Sequence, residues 1–162
     1  RSHCDWSSDV CSSDLGLDSC FLDTNDPIEL FKTWMNKAEE TELNDPNALS
    51  LATTDKNGFP SVRIVLLKDF SKNGFVFYTN LNSQKSLSLK ENPKAEMCFY
   101  WKSLLRQVRV SGYVSLVSDK VADDYYNTRP HLARIGAWAS KQSTVLKDKD
   151  ELINSIKKYG FK

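Results

Sequence analysis

The sequence predicts a mainly β domain with helices on its outside, an α+β arrangement in which a small antiparallel barrel or strongly bent sheet forms the centre. Three observations lead there. From "ALSLATTD" onward the period changes to strand-like runs separated by turn signals. Two Asn-Gly pairs, in "DKNGFP" and "SKNGFV", separate such runs where a tight hairpin needs positive φ. An amphipathic helix signal stands ahead of them. With 162 residues, 40% hydrophobic and 27% charged, the chain suits one domain with a substantial core rather than two.

The first helix announces itself at Asp26, a capping aspartate followed by Pro27 at the first helical position and by Glu29 three residues after the cap. Ile28, Phe31, Trp34, Met35 and Ala38 then recur at spacings of three and four and make one apolar stripe to lay on a sheet. Strands are expected over residues 48–54, 60–68 and 74–80, joined as a meander by the two Asn-Gly turns. A short helix, "SQKSLSLKEN", stops before Pro93, and two longer strands follow in "AEMCFYW" and "RQVRVSGYVSLV". In the second, Gln107, Arg109 and Ser111 alternate with Val108 and Val110, which sets a polar face against a buried one. Residues 118–128 and 148–159 carry further helical patterns.

A formal charge of +1 excludes a general attraction to nucleic acid or to an anionic membrane, so anion binding rests on local cations. No stretch approaches the apolar length of a membrane span and no secretory pattern opens the chain, so a soluble, cytoplasmic protein is expected. Cys4, Cys11, Cys20 and Cys98 form no CxxC pair, which argues against a zinc site or a disulfide framework; no metal is expected. Residues 1–15, "RSHCDWSSDVCSSDL", have neither period and read as a leader joined to a chain that becomes coherent near Gly16, with a native disordered tail equally compatible. The domain expected is therefore 16–162.

Acid–base chemistry centred on histidine is improbable, since His3 and His131 are the two histidines and the first lies in the leader. No GxGxxG, P-loop, HExxH or GxSxG occurs. What the sequence offers is cations and amides beside apolar strands: Arg63, Lys68, Lys85, Arg106, Gln107, Arg109, Arg129, Arg134, Lys141 and Gln142. Such groups suit phosphates and planar heteroaromatic rings. Arg63 and Lys68 close the run "IVLL" and stand an odd number of residues apart, so they project from opposite faces unless a bulge intervenes. On this stretch alone the favoured reading is that both are strand-end charges reaching solvent. In "DDYYNTRP" a helical reading puts Tyr125 and Arg129 on one face, either as a phosphate grip or as a tyrosine packed on an arginine stem. "GAWASKQST" ends an apolar patch in donors that suit a helix cap, a hydrated loop or a ligand.

In this order, "RIVLLK", "GFVFYTN", "NSQKSLSLKENP", "RQVRVSG", "YYNTRP" and "IGAWASKQS" resemble the pyridoxine (pyridoxamine) 5′-phosphate oxidase family, from about Gly16 to Phe161. The resemblance implies an FMN-binding split β-barrel, antiparallel, in a homodimer with FMN at the interface. It implies oxidation of pyridoxine or pyridoxamine 5′-phosphate to pyridoxal 5′-phosphate with O2, giving H2O2. Carried over by position, it implies FMN contacts from Arg63, Ile64, Val65, Leu66, Leu67 and Lys68, from Tyr78 and Thr79, from Gln84 and Lys85, and from Gln107, Gln142 and Ser143. The substrate phosphate falls to Lys68, Tyr125 and Arg129, with Ala133 at the same place. No residue is implied as a general base.

The chain departs from the family pattern at Gln84, where an arginine is usual, at Ala133, where a serine is usual, and at Arg134, where a glutamine is usual. The family's basic N-terminal segment is replaced by the leader. The chain stops at "KKYGFK", ahead of the family's last strands, so a truncated piece with lowered stability, weak flavin retention and poor turnover is expected. Two other classes stay open: another split-barrel flavin oxidoreductase, against which "YYNTRP" argues, and a non-enzymatic flavin or pyridoxal-phosphate binding protein.

Overall fold

The computed structural model describes residues 26–139 and 148–160; the leader, Lys141, Gln142 and Ser143 lie outside the described residues. The chain passes back and forth between two compact units. One holds the helix α1 (Pro27–Thr41) and the strands β1 (Ala48–Thr54), β2 (Pro60–Ser71), β3 (Gly74–Phe77), β4 (Lys94–Trp101) and β5 (Arg106–Tyr113). The other holds the β1–β2 turn and the helices α2 (Gln84–Glu91), α3 (Asp119–Thr128), α4 (His131–Ala139) and α5 (Lys149–Gly160).

In the first unit the strands lie in the order β3-β2-β1-β4-β5. β4 runs antiparallel to both neighbours, with Leu51 opposite Met97 on one side and Val110 opposite Met97 on the other. The inward rows are apolar: Leu49 and Leu51, Met97, Phe99 and Trp101, and Val108 are all buried. α1 begins as its sequence dictates, with Asp26 Oδ1 accepting from the Ile28 N–H at 3.0 Å. It buries Leu30, Phe31, Trp34, Met35 and Ala38. Ile28, expected in that stripe, is half-buried at the helix start, and Leu30 takes its share of the core.

Phe31 is the centre of the packing. Its ring meets Phe70 at 4.8 Å, Phe75 at 5.0 Å, Phe99 at 5.2 Å and Trp101 at 5.8 Å, mostly edge to face, the geometry that ring quadrupoles favour. Polar contacts fasten the margins. Lys72 reaches Asp26 Oδ2 at 2.6 Å, which holds that carboxyl below the usual range, and Glu42 Oε1 accepts from the Ser103 N–H at 2.8 Å and its hydroxyl at 2.6 Å. The Trp101 indole N–H finds the Pro46 carbonyl at 2.7 Å, as a buried indole must find an acceptor.

Three expected boundaries move. β2 runs on to Ser71 because it pairs with β3 through a two-residue turn at Lys72-Asn73, with Ser71 opposite Gly74. β3 ends at Phe77 rather than continuing to residue 80, since Asn80 folds into a turn whose side chain accepts from the Asn82 N–H at 2.8 Å. β5 ends at Tyr113, opposite Lys94; the preceding Pro93 has no N–H with which to carry the ladder further.

The second unit keeps the expected turn in "DKNGFP": Asp55 accepts from the backbone N–H of Asn57 and Phe59, and Gly58 closes the turn at φ 83°, the left-handed region that glycine enters without strain. α3 is capped by Ser118 and ends at Thr128. α4, packed against α5, has no counterpart among the expected elements. Pro130 reads as a stop, yet it also opens the next helix, with its carbonyl accepting from the Arg134 N–H at 3.1 Å.

Phe31→Ala should destabilise the folded chain by about 3–5 kcal/mol, the cost of deleting a large buried ring among others. Denaturant unfolding of wild type and variant measures it.

Candidate functional site

The candidate site residues of the first unit are set by the alternation along β2. Arg63, Val65 and Leu67 turn inward, and Val62, Ile64 and Leu66 turn outward with 64%, 65% and 37% of their surface open. On β1 the inward row runs Leu49, Leu51, Thr53, and Thr53 is only 2% exposed. Arg63 thus stands where an apolar row gives out and a buried hydroxyl begins. Its Nη1 donates to the Leu51 carbonyl at 3.0 Å and to Thr53 Oγ1 at 2.8 Å, and its Nη2 donates to Ser61 Oγ at 2.6 Å. A guanidinium carries five N–H donors. Three are used, so the Nε–H and one Nη2–H have no acceptor among the described residues. Burial lowers the Arg63 pKa, but an arginine stays cationic at neutral pH regardless.

Lys68 is placed by a bulge. Leu67 sits opposite Phe77 and Asp69 opposite Val76, so Lys68 is the extra residue between them. The exception to the parity rule therefore falls on the lysine itself. It is exposed and lines an open groove of about 420 Å³ whose other walls include Asn36, Glu39, Asn47 and Asp69. Gln107 is exposed on β5 opposite Tyr100. Arg109, one of the sequence's candidate cations, is instead in a short ion pair with Glu96, which holds that carboxyl below its usual range. Arg106 lies over the Trp34 ring at 4.7 Å, a cation–π contact.

In the second unit Lys85 is 8% exposed, a burial that a lysine tolerates only with partners. Its ammonium donates to Thr79 Oγ1 at 3.1 Å and to Ser83 Oγ at 3.3 Å. Ser86 Oγ donates to the Asn80 carbonyl at 2.8 Å, which leaves Ser83 as donor in the 3.2 Å contact between the two serine hydroxyls. The Lys85 end of this chain is thus lined by oxygen acceptors already oriented. Gln84, at the first helical position beside it, is exposed.

Tyr125 lies in the last turn of α3 and Arg129 is the residue that closes it. α3 ends before Arg129, which caps it in an extended conformation at φ −73°, ψ 144°, because the ring of Pro130 disfavours helical backbone at the residue before it. Tyr125 stacks face to face on Tyr78, 3.7 Å between centroids and 3° between planes. A tyrosine implied for flavin and one implied for substrate are therefore in contact with each other. Arg129 is half-buried and pairs with no carboxylate among the described residues. Arg134 keeps a buried Nε–H without an acceptor, the kind of orphan that an anion relieves, while its carbonyl accepts from the Tyr126 hydroxyl at 3.2 Å. Ala133 is half-buried on α4. Sequence reasoning missed Thr53, Ser61 and Ser83, and the one signal for Thr53 was its place at the end of the alternating row "LSLATT".

The antiparallel sheet in the order β3-β2-β1-β4-β5, packed on α1, has the architecture of a split-barrel protein. The solved structure of PhzG from Burkholderia lata 383, in complex with tetrahydrophenazine-1-carboxylic acid, superposes with a TM-score of 0.80 at 26% identity, covering 93% of this chain and 72% of that one. A pyridoxamine 5′-phosphate oxidase-related, FMN binding protein from Nostoc punctiforme PCC 73102 gives 0.64 at 21% identity, over 80% of this chain and 72% of that one, and shares the fold. The model of the pyridoxamine 5′-phosphate oxidase family matches residues 35–161. A relative from Pelagibacter ubique (strain HTCC1062), named pyridoxine/pyridoxamine 5′-phosphate oxidase, is 69% identical over 148 residues, 91% of this chain and 71% of its own length. One of the same name from Allorhizobium ampelinum is 55% identical over 139 residues, 86% of this chain and 68% of its own. The chain belongs to the pyridoxamine 5′-phosphate oxidase family, a family of oxidases.

A double-mutant cycle of Tyr78→Ala and Tyr125→Ala, read by denaturant unfolding, should return a coupling of about 0.5–1.5 kcal/mol for the stacked pair. Additive single effects would show that the rings contribute only their separate burial.

Proposed function

We propose that this chain, over residues 16–162, binds FMN and oxidises pyridoxine or pyridoxamine 5′-phosphate to pyridoxal 5′-phosphate, with O2 as final acceptor and H2O2 as by-product. The observation that carries the reading is family membership at 69% identity to a relative of that name. The donor set is consistent with it. Arg63 keeps two N–H groups for an anion, Lys85 brings a buried ammonium, and Ile64 and Leu66 offer an open apolar row suited to the edge of a planar ring. The proposed FMN contacts are Arg63, Ile64, Val65, Leu66, Leu67, Lys68, Tyr78, Thr79, Gln84, Lys85, Gln107, Gln142 and Ser143. The proposed substrate-phosphate contacts are Lys68, Tyr125 and Arg129, with Ala133 beside them in place of a hydroxyl.

FMN, when bound, supplies the hydride acceptor. The protein's own share is binding and orientation: Arg63 and Lys85 neutralise one phosphate, and Lys68, Tyr125 and Arg129 hold the other, remote from the reacting carbon, so that binding energy fixes the pose of the pyridine ring. No side chain is assigned as general base, which agrees with the scarcity of histidine. The working form proposed is a cytoplasmic homodimer with FMN at the subunit interface, on the strength of the resemblance. Among the described residues no helix is long and apolar enough to cross a membrane.

Peroxide release on adding pyridoxine 5′-phosphate to the FMN-loaded chain in air tests the reaction, and binding of both ligands without peroxide would make it a carrier. Arg129→Ala should raise the substrate KM by about tenfold or more with FMN affinity nearly unchanged, the loss of one charge-assisted phosphate contact. Arg63→Ala should chiefly weaken FMN. If both variants affected FMN alone, the division of the two phosphates would be wrong.

A further inference from the structure

We propose that Thr53 and Ser61 are positioning residues for the phosphate of FMN, acting through the guanidinium of Arg63; this rests on the reading that Arg63 receives that phosphate. Neither residue carries a charge and neither is among the contacts proposed for flavin or substrate. Their importance lies in what they do to the arginine. A free arginine side chain samples many rotamers, and fixing one costs conformational entropy when a ligand has to do it. Here the cost is met before any ligand arrives. The Leu51 carbonyl and Thr53 Oγ1 take both hydrogens of Nη1, and Ser61 Oγ takes one from Nη2. What is left is the Nε–H and one Nη2–H, two donors on two nitrogens of one planar cationic group, which suit phosphate oxygens.

The three acceptors differ in what can be changed. The Leu51 carbonyl belongs to the backbone of β1 and is present whatever the side chain. Ser61 lies two residues before Arg63 on the same strand face, so its hydroxyl meets the guanidinium by strand geometry alone. Thr53 is the informative one. It ends the inward row Leu49, Leu51, Thr53, is 2% exposed, and a valine there would match its shape and suit its apolar neighbours. A hydroxyl buried at such a position is explained by the arginine it holds. Without it, the Nη1–H turned toward residue 53 loses its acceptor and the guanidinium is released to rotate about its side-chain torsions, taking the two ligand-facing donors out of register. Burial, which lowers the Arg63 pKa, strengthens each of these bonds by thinning the water around them.

The test compares FMN with riboflavin, which has the same ring system and no phosphate, by quenching of flavin fluorescence on the full chain and its variants. Thr53→Val should weaken FMN about tenfold, the loss expected when a hydrogen bond from a charged group is removed, while riboflavin affinity stays within about twofold of wild type. Thr53→Ser, which keeps the hydroxyl, should recover most of the FMN affinity. Ser61→Ala, at an exposed position that does not threaten folding, should weaken FMN by about threefold with riboflavin again unchanged. FMN binding by Thr53→Val and Ser61→Ala equal to wild type overturns the inference, and so does an equal loss of FMN and riboflavin, which marks a general structural effect. A wild-type chain with no preference for FMN over riboflavin overturns the reading of Arg63 and this inference with it. A preference that survives both substitutions overturns this inference alone.

Discussion

An arginine placed in the inward row of a central strand has to be satisfied by the sheet that holds it, and the way Arg63 is satisfied sets most of what β1 and β2 can do. Its guanidinium ties the Leu51 carbonyl and the Thr53 hydroxyl of one strand to the Ser61 hydroxyl of the next, at the end where the apolar rows stop. The inward row below it, Val65 and Leu67 against Leu49 and Leu51, is then committed to the core. Because side chains alternate, the same commitment turns Val62, Ile64 and Leu66 outward as an open apolar surface. One residue's solvation requirement thus separates a core face from a face available to a flat ligand. The bulge that follows frees Lys68 from that alternation.

The packing of α1 sustains the arrangement from the other side. Phe31 touches rings from β2, β3 and β4, so the strand that carries Arg63 is held on its inner face by the same side chain that anchors the helix. Lys72 and Asp26 clasp the β2–β3 turn to the start of that helix. An exposed ion pair of this sort adds little energy. Its effect is registration, since the turn and the capping residue come from distant parts of the chain.

Much of this was legible in the sequence, and the reasons for the rest are local. Asp26, Pro27 and Glu29 mark the α1 start because a helix N-terminus has unpaired N–H groups that only certain residues satisfy. The alternating runs mark β1, β4 and β5 because a half-buried strand imposes its period on the side chains. Boundaries that depend on a neighbour were not legible: β3 stops where Asn80 turns, and the Lys68 bulge exists only through pairing with Phe77 and Val76. Pro130 was legible as an ending and not as the beginning of α4. The same proline explains why α3 stops at Thr128 with Arg129 as its cap, and nothing in "DDYYNTRP" announces that Tyr125 stacks on Tyr78. Candidate cations were identifiable by type, but only coordinates distinguish Arg109, neutralised by Glu96, from Arg63, which retains donors. Gln142 and Ser143 lie outside the described residues, and their assignment rests on resemblance.

On the proposed reading, the two phosphates are sorted by two differently built cation sets. Arg63 and Lys85 are each held by hydroxyls before a ligand arrives, which suits a cofactor that stays. Lys68 sits exposed on a bulge and Arg129 extends from a helix end, which suits a substrate that must leave. The most direct measurement is a crystal structure of the chain with FMN. The account predicts flavin phosphate oxygens within hydrogen-bonding distance of Arg63 Nε and Nη2, with the bonds from that guanidinium to Thr53 and Ser61 retained. A phosphate bound instead by Tyr125 and Arg129, with Arg63 turned away, would contradict it.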